Sequence, residues 1–433
     1  MHDTMRRWHE DRDGMTFKAS HTDVLVIGGG PAGMSAALHA AQRGAHVVIV
    51  DENPSMGGQI WRGGSSQEFK RLFEQISRHS ITIMRSTGVE RIDCNGRFRA
   101  GLITDHGVTQ VESDRIIMAC GARELFLPFD GWTTPGVFGL GGLQALIKGG
   151  FDVYGKRVAL VGSGPLMLAV AAVVRDAGAV PVVMVEQAKL SGVVRALGVL
   201  TRNPTQWTRF AEYASALHGV PRRFGWLPSR VTRSQSLELE ITDGKRRESI
   251  ETDLVACGFG LIPNLQLART LGCEIRGGVI VDRYQRTSVD GVYCSGESCG
   301  IGGVDAALAE GAIAAIHATD GVPPDSLMGQ RDGARSFVSK LNACFALDAR
   351  VRSMASDGAI LCRCEDVRIG SLRSSGSWRE LKLRHRCGMG VCQSRVCGPA
   401  VEVLTGWAVQ DYRPPTTAVT VSELIELLRE PQS

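Results

Sequence analysis

Apolar runs and glycine-rich breaks alternate along this chain in the rhythm of buried strands that each lead into a helix. Residues 24–27 are a short, β-branched-rich run, as a strand covered on both faces requires. Gly28-Gly29-Gly30-Pro31-Ala32-Gly33 breaks that run, residues 34–43 are helix-like, and Gly44 ends them. A second apolar run over 46–50 stops at Asp51, which completes a βαβ unit. The pattern returns at Val158 as Val-Ala-Leu-Val-Gly-Ser-Gly-Pro-Leu-Met-Leu, with Glu186 closing the strand that follows. The apolar window 158–174 is shorter than the roughly 20 residues of a membrane span. It is also broken by Gly162, Gly164 and Pro165, so it predicts a buried strand–turn–helix. Residues 320–333, rich in Pro, Gly and Asp, read as a linker. Beyond it, 371–383 is expected to be partly helical. Residues 421–428 form a short amphipathic helix, with Thr420 and Glu423 spaced for a capping box.

A glycine turn that opens a helix is a phosphate cradle. Gly28 allows the tight turn, Gly30 lets a pyrophosphate approach the backbone, and Gly33 lets the helix pack against the strand. Free N–H groups at the helix start then face the phosphates. Asp51, 18 residues past Gly33, is near the reach of a ribose hydroxyl, with Glu52 as the fallback. In the second unit Gly162 and Gly164 keep their places, but Met167 stands at the third glycine position. A side chain that large pushes the helix off the strand or fills the space beneath the turn. NAD(P) is therefore disfavoured there, and another nucleotide or none fits at least as well.

The order of the segments gives the domains: an arm over 1–20, a first nucleotide unit over 21–125 that resumes over 261–325, and a second over 126–260. A small C-terminal unit occupies 334–433. At 433 residues the chain exceeds one typical core, so more than one domain is required. Charge is nearly balanced at +4, and no basic block points to nucleic acid. The first 20 residues are charged and lack the apolar stretch of a secretion signal. Twelve cysteines, clustered rather than spread, favour a reducing compartment and a metal site over a secreted disulfide framework.

The clustering is sharpest near the C-terminus. Cys362 and Cys364 read C-R-C-E, and Cys392 and Cys397 follow after 27 intervening residues in G-M-G-V-C-Q-S-R-V-C-G-P. Four thiolates suffice for a [2Fe–2S] or a [4Fe–4S] centre. Gly388, Gly390 and Gly398 suit tight turns around cluster sulfurs. Zinc also accepts four cysteines, although its pairs are usually spaced by two or more residues, and unliganded thiols are a third reading. The cluster is the reading the spacing favours, and Cys387 stands as a spare.

Further motifs lie in a telling order: Gly57-Gly58-Gln59-Ile60, Met118-Ala119-Cys120-Gly121-Ala122, Gly291-Val292-Tyr293-Cys294-Ser295-Gly296-Glu297, and the run from Gly302 to Gly311. With the Gly28 loop they resemble the two-dinucleotide-binding-domain flavoproteins, an α/β fold with Rossmann-like three-layer units. That resemblance implies FAD on the first loop, with Gln59, Gly121, Gly296 and Glu297 beside it. The family's late acid is an aspartate, so Glu297 is a longer substitute. Asp305 reads as a helix-start charge, and Glu310 divides evenly between surface and site.

The loop Pro128-Phe129-Asp130-Gly131-Trp132-Thr133-Thr134-Pro135-Gly136-Val137, the stretch Gly258-Phe259-Gly260-Leu261-Ile262-Pro263-Asn264 and the cysteine segment narrow the resemblance. Nearly the whole chain is similar to the α (A) subunits of heteromeric flavin-dependent amine and amino-acid dehydrogenases. These include the α (A) subunits of opine oxidase, those of D-hydroxyproline and dye-linked L-proline dehydrogenases, and one component of hydrogen cyanide synthase. The resemblance implies a β subunit of the amino-acid-oxidase type that oxidises the substrate, with room for a small third subunit. This chain would then pass electrons on through flavin and a [2Fe–2S] cluster in a small C-terminal iron–sulfur domain. A cytoplasmic seat is expected, with contact to the inner membrane face through partners. The rival readings are a stand-alone NAD(P)H:acceptor flavin oxidoreductase and a non-enzymatic, zinc-bearing scaffold.

No C-x-x-C occurs, so the redox disulfide of a reductase of this fold is missing. Cys294 and Cys299 bracket the Gly296-Glu297 pair and read as small buried residues. No acid–base constellation stands out, and no catalytic residue is assigned.

Overall fold

A computed structural model of the chain describes residues 20–63, 66–215, 218–409 and 412–428. The arm expected over 1–20 lies outside them, Ser20 excepted. Strands Ser20–Ile27, Val47–Val50 and Ile81–Met84 run parallel side by side. Every residue of Val47–Val50 is buried, as the apolar run requires of a strand inside a sheet. The long strand Gly107–Met118 joins on the other side of the first and continues antiparallel through Phe98–Thr104 and Gly88–Cys94. Val292–Cys294 pairs parallel with its end, so the chain leaves this seven-stranded sheet and comes back to it. Helices Pro31–Gln42 and Gly303–Ala318 press together there so closely that a side chain on Gly311 would meet the Ala32 carbonyl oxygen at 2.1 Å.

Between departure and return lies a second, five-stranded parallel sheet. Its order is Arg222–Phe224, Val180–Glu186, Arg157–Gly162, Leu254–Gly258 and Val137–Gly139. A three-stranded antiparallel sheet packs against it, and in Leu237–Thr242 the buried Leu237, Leu239 and Ile241 alternate with more exposed polar positions. Ala122–Glu124 pairs antiparallel with Leu261–Pro263 where the chain crosses between the two units.

The linker expected over 320–333 is instead the start of a 20-residue helix, Asp325–Cys344. Gly329 and Gly333 cost helix propensity, roughly 1 kcal/mol each against alanine. Tertiary packing outweighs them: Met328 and Leu341 are buried, and Arg335 pairs with buried Glu310. The division placed at 333/334 therefore falls inside a helix. The region beyond is not on a tether either, because Leu361, Trp378, Leu381 and Val401 share one core with Phe129, Trp132 and Val231 of the second unit. Each such apolar side chain adds roughly 1.5–3 kcal/mol when fully buried. Helix Trp378–His385 and the single turn Ile369–Leu372 bracket the partly helical 371–383. Helix Val421–Leu428 has the expected bounds. Its capping box closes, Thr420 N–H donating to Glu423 at 2.7 Å and Glu423 N–H to the Thr420 hydroxyl at 3.2 Å.

Candidate functional site

The first glycine loop is shaped by close backbone approach. Gly28 has φ +109°, and a side chain there would meet the Ala119 carbonyl oxygen at 2.2 Å. One on Gly33 would meet the Gly28 oxygen at 1.8 Å. Gly30 precedes Pro31, which starts the helix with its N–H already removed. Asp51 is buried and accepts the Gly29 N–H at 2.5 Å, while its other oxygen accepts the backbone N–H and side-chain amide of Asn53. Glu52 and Gln59 are exposed on the rim of the same cavity, and Gly121 (φ +67°) turns the chain away beside it.

Opposite stands the loop Ser295-Gly296-Glu297. Glu310, fully buried, accepts the Gly296 N–H at 2.8 Å and pairs with Arg335, so it is no surface charge. Asp305 is exposed in the first turn of its helix and accepts from Gln206 at 3.2 Å. Glu297 Oε1 accepts the Gly303 N–H at 2.8 Å. Its Oε2, like the Ser295 hydroxyl, is buried with no hydrogen-bond partner among the described residues. Burial pushes the Glu297 carboxyl up. An orphaned carboxylate oxygen and a hydroxyl on a cavity wall suit a ligand rich in hydroxyl groups. With the Gly28–Gly33 cradle, these residues fit a flavin dinucleotide.

The cavity measures about 2100 Å³ and reaches both glycine loops. That exceeds the roughly 300–1,000 Å³ of an ordinary small-molecule pocket. Thr416 and Thr417 from the C-terminal segment, and Arg395 from the cysteine segment, also line it.

The second loop repeats the first. A side chain on Gly162 (φ +140°) would meet the Gly258 oxygen at 1.7 Å, and the Gly164 N–H donates to buried Glu186 at 2.8 Å. Desolvation pushes the Glu186 carboxyl up to about 7. Met167 is buried with Val170, Val174 and Leu140 beneath the turn, and its helix starts at Leu166, one residue after the proline that matches Pro31. Backbone of the segment 345–348 lies against this loop. Ser163 donates to the Phe345 carbonyl at 3.2 Å, Gln187 donates to Ala346 at 3.2 Å, and the Asp348 N–H donates to Gln187 at 2.9 Å.

The C-terminal cysteines converge. The sulfurs of Cys362, Cys387 and Cys397 lie within 4.8 Å of one another, all three buried. Hydrogen bonds from Cys387 and Cys397 draw the Cys362 thiol far below the usual thiol range, and those two thiols are pushed up in turn. Cys364, exposed, lies beside the half-buried Cys392, and burial together with that neighbour pushes its thiol up. Of the four cysteines named from the sequence, Cys362 and Cys397 belong to this buried group together with Cys387, read as a spare, while Cys364 and Cys392 stand outside it. The loop is held tightly: a side chain on Gly390 would meet Cys364 Cβ at 2.3 Å, and one on Gly388 the Trp378 ring at 2.7 Å. Gln393 (φ +47°) and Ser394 (φ +64°) take left-handed conformations that cost roughly 1 kcal/mol or more each. A buried, preformed group of thiols suits a four-thiolate iron–sulfur centre, and the donor set alone also admits zinc. Cys294, by contrast, is fully buried beside Cys299, as a small core residue would be.

Several residues that build the site carry no periodic or spacing signal. Arg123 donates to the Arg395 carbonyl at 2.9 Å and to the Asn264 side chain at 2.6 Å, and Asn264 donates to the Cys120 carbonyl at 2.8 Å. Trp132 donates to the Ile360 carbonyl at 2.6 Å, and Asp130 accepts the Ser356 hydroxyl at 2.7 Å, which seats the cysteine region on the second unit. The segments 128–137 and 258–264 are marked in the sequence only by family resemblance.

The pyridine nucleotide-disulphide oxidoreductase family matches residues 22–311. The opine oxidase A subunit of Rhizobium meliloti (strain 1021) is 31% identical over 94% of this chain and 99% of its own length. Hydrogen cyanide synthase subunit HcnB of Pseudomonas aeruginosa is 29% identical over 86% of this chain and 90% of its own. Among solved structures, L-proline dehydrogenase from P. horikoshii superposes with a TM-score of 0.67 at 19% identity, over 96% of this chain and 82% of that one. Thioredoxin reductase from T. acidophilum gives 0.55 at 21% identity, over 71% and 99%.

Proposed function

Because this chain belongs to the pyridine nucleotide-disulphide oxidoreductase family, in the group represented by opine oxidase A subunits, we propose that it is the electron-transfer subunit of a heteromeric dehydrogenase. The enzyme would oxidise opines such as octopine and nopaline, or related secondary-amine amino acids. Its product imine hydrolyses to an amino acid and a 2-oxo acid. A β subunit of the amino-acid-oxidase type handles the substrate. No helix among the described residues is long and apolar enough to cross a membrane, and the proposal seats the complex in the cytoplasm.

One observation carries the reading. Arg395, between Cys392 and Cys397 in sequence, lines the same cavity as Gly28, Gly121 and Glu297, and its carbonyl is bound by Arg123. The flavin site and the thiol site thus share a wall. A flavin accepts an electron pair and a [2Fe–2S] centre one electron at a time, so together they convert one mode to the other. Gly28, Gly30 and Gly33 would receive the flavin pyrophosphate, Asp51 or Glu52 its ribose, and Glu297 with Ser295 its ribityl hydroxyls. Cys362, Cys364, Cys392 and Cys397 would hold the cluster.

The test is to purify the chain with the product of its neighbouring reading frame and measure flavin, iron, acid-labile sulfide and dye reduction. Flavin and iron–sulfur together, with turnover of octopine, nopaline, proline or D-hydroxyproline, support the reading. Absence of iron and sulfide sinks the relay, and no turnover with any of the four sinks the substrate class. The stand-alone NAD(P)H:acceptor reductase has one observation in its favour, a strand-end acid that accepts a loop N–H in both units, Glu186 from Gly164 and Asp51 from Gly29. It requires rapid flavin bleaching by NADH in the isolated chain, which buried Met167 and the seated 345–348 segment oppose.

A further inference from the structure

Five thiols, one more than a four-thiolate centre uses, meet in the C-terminal unit, and they are not equivalent. Cys362, Cys387 and Cys397 form an inner group buried from solvent, with sulfurs mutually within 4.8 Å. Cys364 and Cys392 form an outer pair, of which Cys364 is exposed. The four-ligand set assigned above takes two cysteines from each group and leaves out Cys387, although Cys387 is fully buried among them. Cys387 is buried in the apolar core with Trp378, Leu381 and Val401, yet its sulfur also lies within 4.8 Å of two other sulfurs, which space-filling alone does not require. Gly388 follows it with φ +79°, a left-handed turn packed against the Trp378 ring that fixes Cys387 facing the other two sulfurs.

Resting on the cluster assignment above, we propose that Cys387 is a reserve ligand: it replaces Cys364 at the metal centre when that exposed thiol is lost. Cys362, Cys387, Cys392 and Cys397 then make a second four-thiolate set. The exchange breaks one iron–thiolate bond and forms another. Cys387 would give up its proton on binding. Cys364 would leave either with that proton, as a thiol, or, when an alkylating agent removes it, as the thioether while the proton departs with the agent's leaving group, so no change of oxidation state is needed. The centre thereby tolerates damage at its solvent-facing corner, where alkylating and oxidising agents arrive first.

The full-length chain, isolated anaerobically with its partner, is compared as wild type, C387S, C364S and C364S/C387S. Iron and sulfide per chain and the electron paramagnetic resonance of the reduced centre are measured, with flavin content as the check on folding. Expected is wild-type iron and an unchanged spectrum in C387S. C364S keeps more than half the iron with shifted g values, and the double variant loses about tenfold or more. Two outcomes overturn the reserve role: C364S falling as far as the double variant, or C387S alone losing its iron. A wild-type chain without iron and sulfide overturns the cluster assignment instead, so the two failures are separable. Where C364S/C387S also loses its flavin, C364A/C387A is substituted and judged by the same iron ratio.

Discussion

The guanidinium of Arg123 donates from Nε to the carbonyl of Arg395 at 2.9 Å, across 272 residues of sequence. Arg395 is flanked by the two late cysteines, and Arg123 follows the Gly121 turn at the flavin side. This bond therefore ties the cysteine segment to the wall of the first glycine-loop cavity, and in the proposed relay it would set the distance electrons cross. Arg123 also holds Asn264, whose amide grips the Cys120 carbonyl.

Replacing Arg123 by Gln should slow flavin-to-cluster transfer about tenfold or more, the effect of roughly 1.4 kcal/mol in the barrier, with flavin and iron contents retained. Stopped-flow traces of flavin reoxidation after rapid substrate reduction would register it. Unchanged reoxidation in a fully loaded R123Q protein removes Arg123 from the path.

Glu297 offers a second handle. One carboxylate oxygen is committed to Gly303, and the other is buried without a partner among the described residues. A ligand hydroxyl donating to it gains a charge-assisted bond of roughly 1.5–3 kcal/mol. E297A should therefore weaken flavin binding by about 10- to 150-fold, measured as flavin released on prolonged dialysis. E297D, the shorter acid of the wider family, should recover part of the loss. Equal retention in wild type and E297A would refute the assignment.

Glu186 makes stability depend on pH. Its folded carboxyl titrates near 7 because burial penalises the charge, against an ordinary value of 4.5. A proton held more tightly in the folded state adds stability that is complete below about pH 4.5 and is lost as pH rises through about 7. E186Q cannot ionise and lacks that loss. Its stability relative to wild type should climb between about pH 4.5 and 7, by up to roughly 3 kcal/mol at about 1.4 kcal/mol per unit. Urea titrations at about pH 5 and pH 8 give the comparison, and a difference that stays flat with pH contradicts it.

How much of this was legible depends on how local the cause is. Gly28 and Gly162 were readable because the glycine turn that opens a helix is written within six residues of sequence, although the backbone each one touches, at Ala119 and Gly258, lies far along the chain. Asp51 and Glu186 were readable because each closes its own βαβ unit. The Thr420–Glu423 box was readable for the same reason. The helix Asp325–Cys344 was hidden, since the Gly, Pro and Asp of 320–333 signal a loop and only the Glu310–Arg335 pair and core packing reveal its state. Glu310, Arg123 and Arg395 act across distant segments, and no spacing rule reaches them. Cys387 was set aside because pairing by sequence cannot tell which thiols face inward.

The C-terminal segment yields the last prediction. Glu90 is buried and holds that segment by accepting the Thr416 hydroxyl at 3.0 Å and the Thr417 N–H at 2.7 Å, while its backbone carbonyl accepts the Thr416 N–H at 3.1 Å. Further along, Leu427 packs over Gly101, where an added methyl would meet it at 2.8 Å. Thr416 and Thr417 line the cavity of the first glycine loop, so Glu90 positions a wall of the site without being aimed at its centre. Removing a carboxylate that takes several donors leaves those donors short of partners, at a cost of about 2–4 kcal/mol. E90A should lower thermal stability accordingly, release the segment to limited proteolysis near 412–417, and weaken flavin retention. E90Q, which keeps the shape and one acceptor oxygen, should lie between. Proteolysis that is no faster in E90A than in wild type would show that helix Val421–Leu428 alone secures the segment.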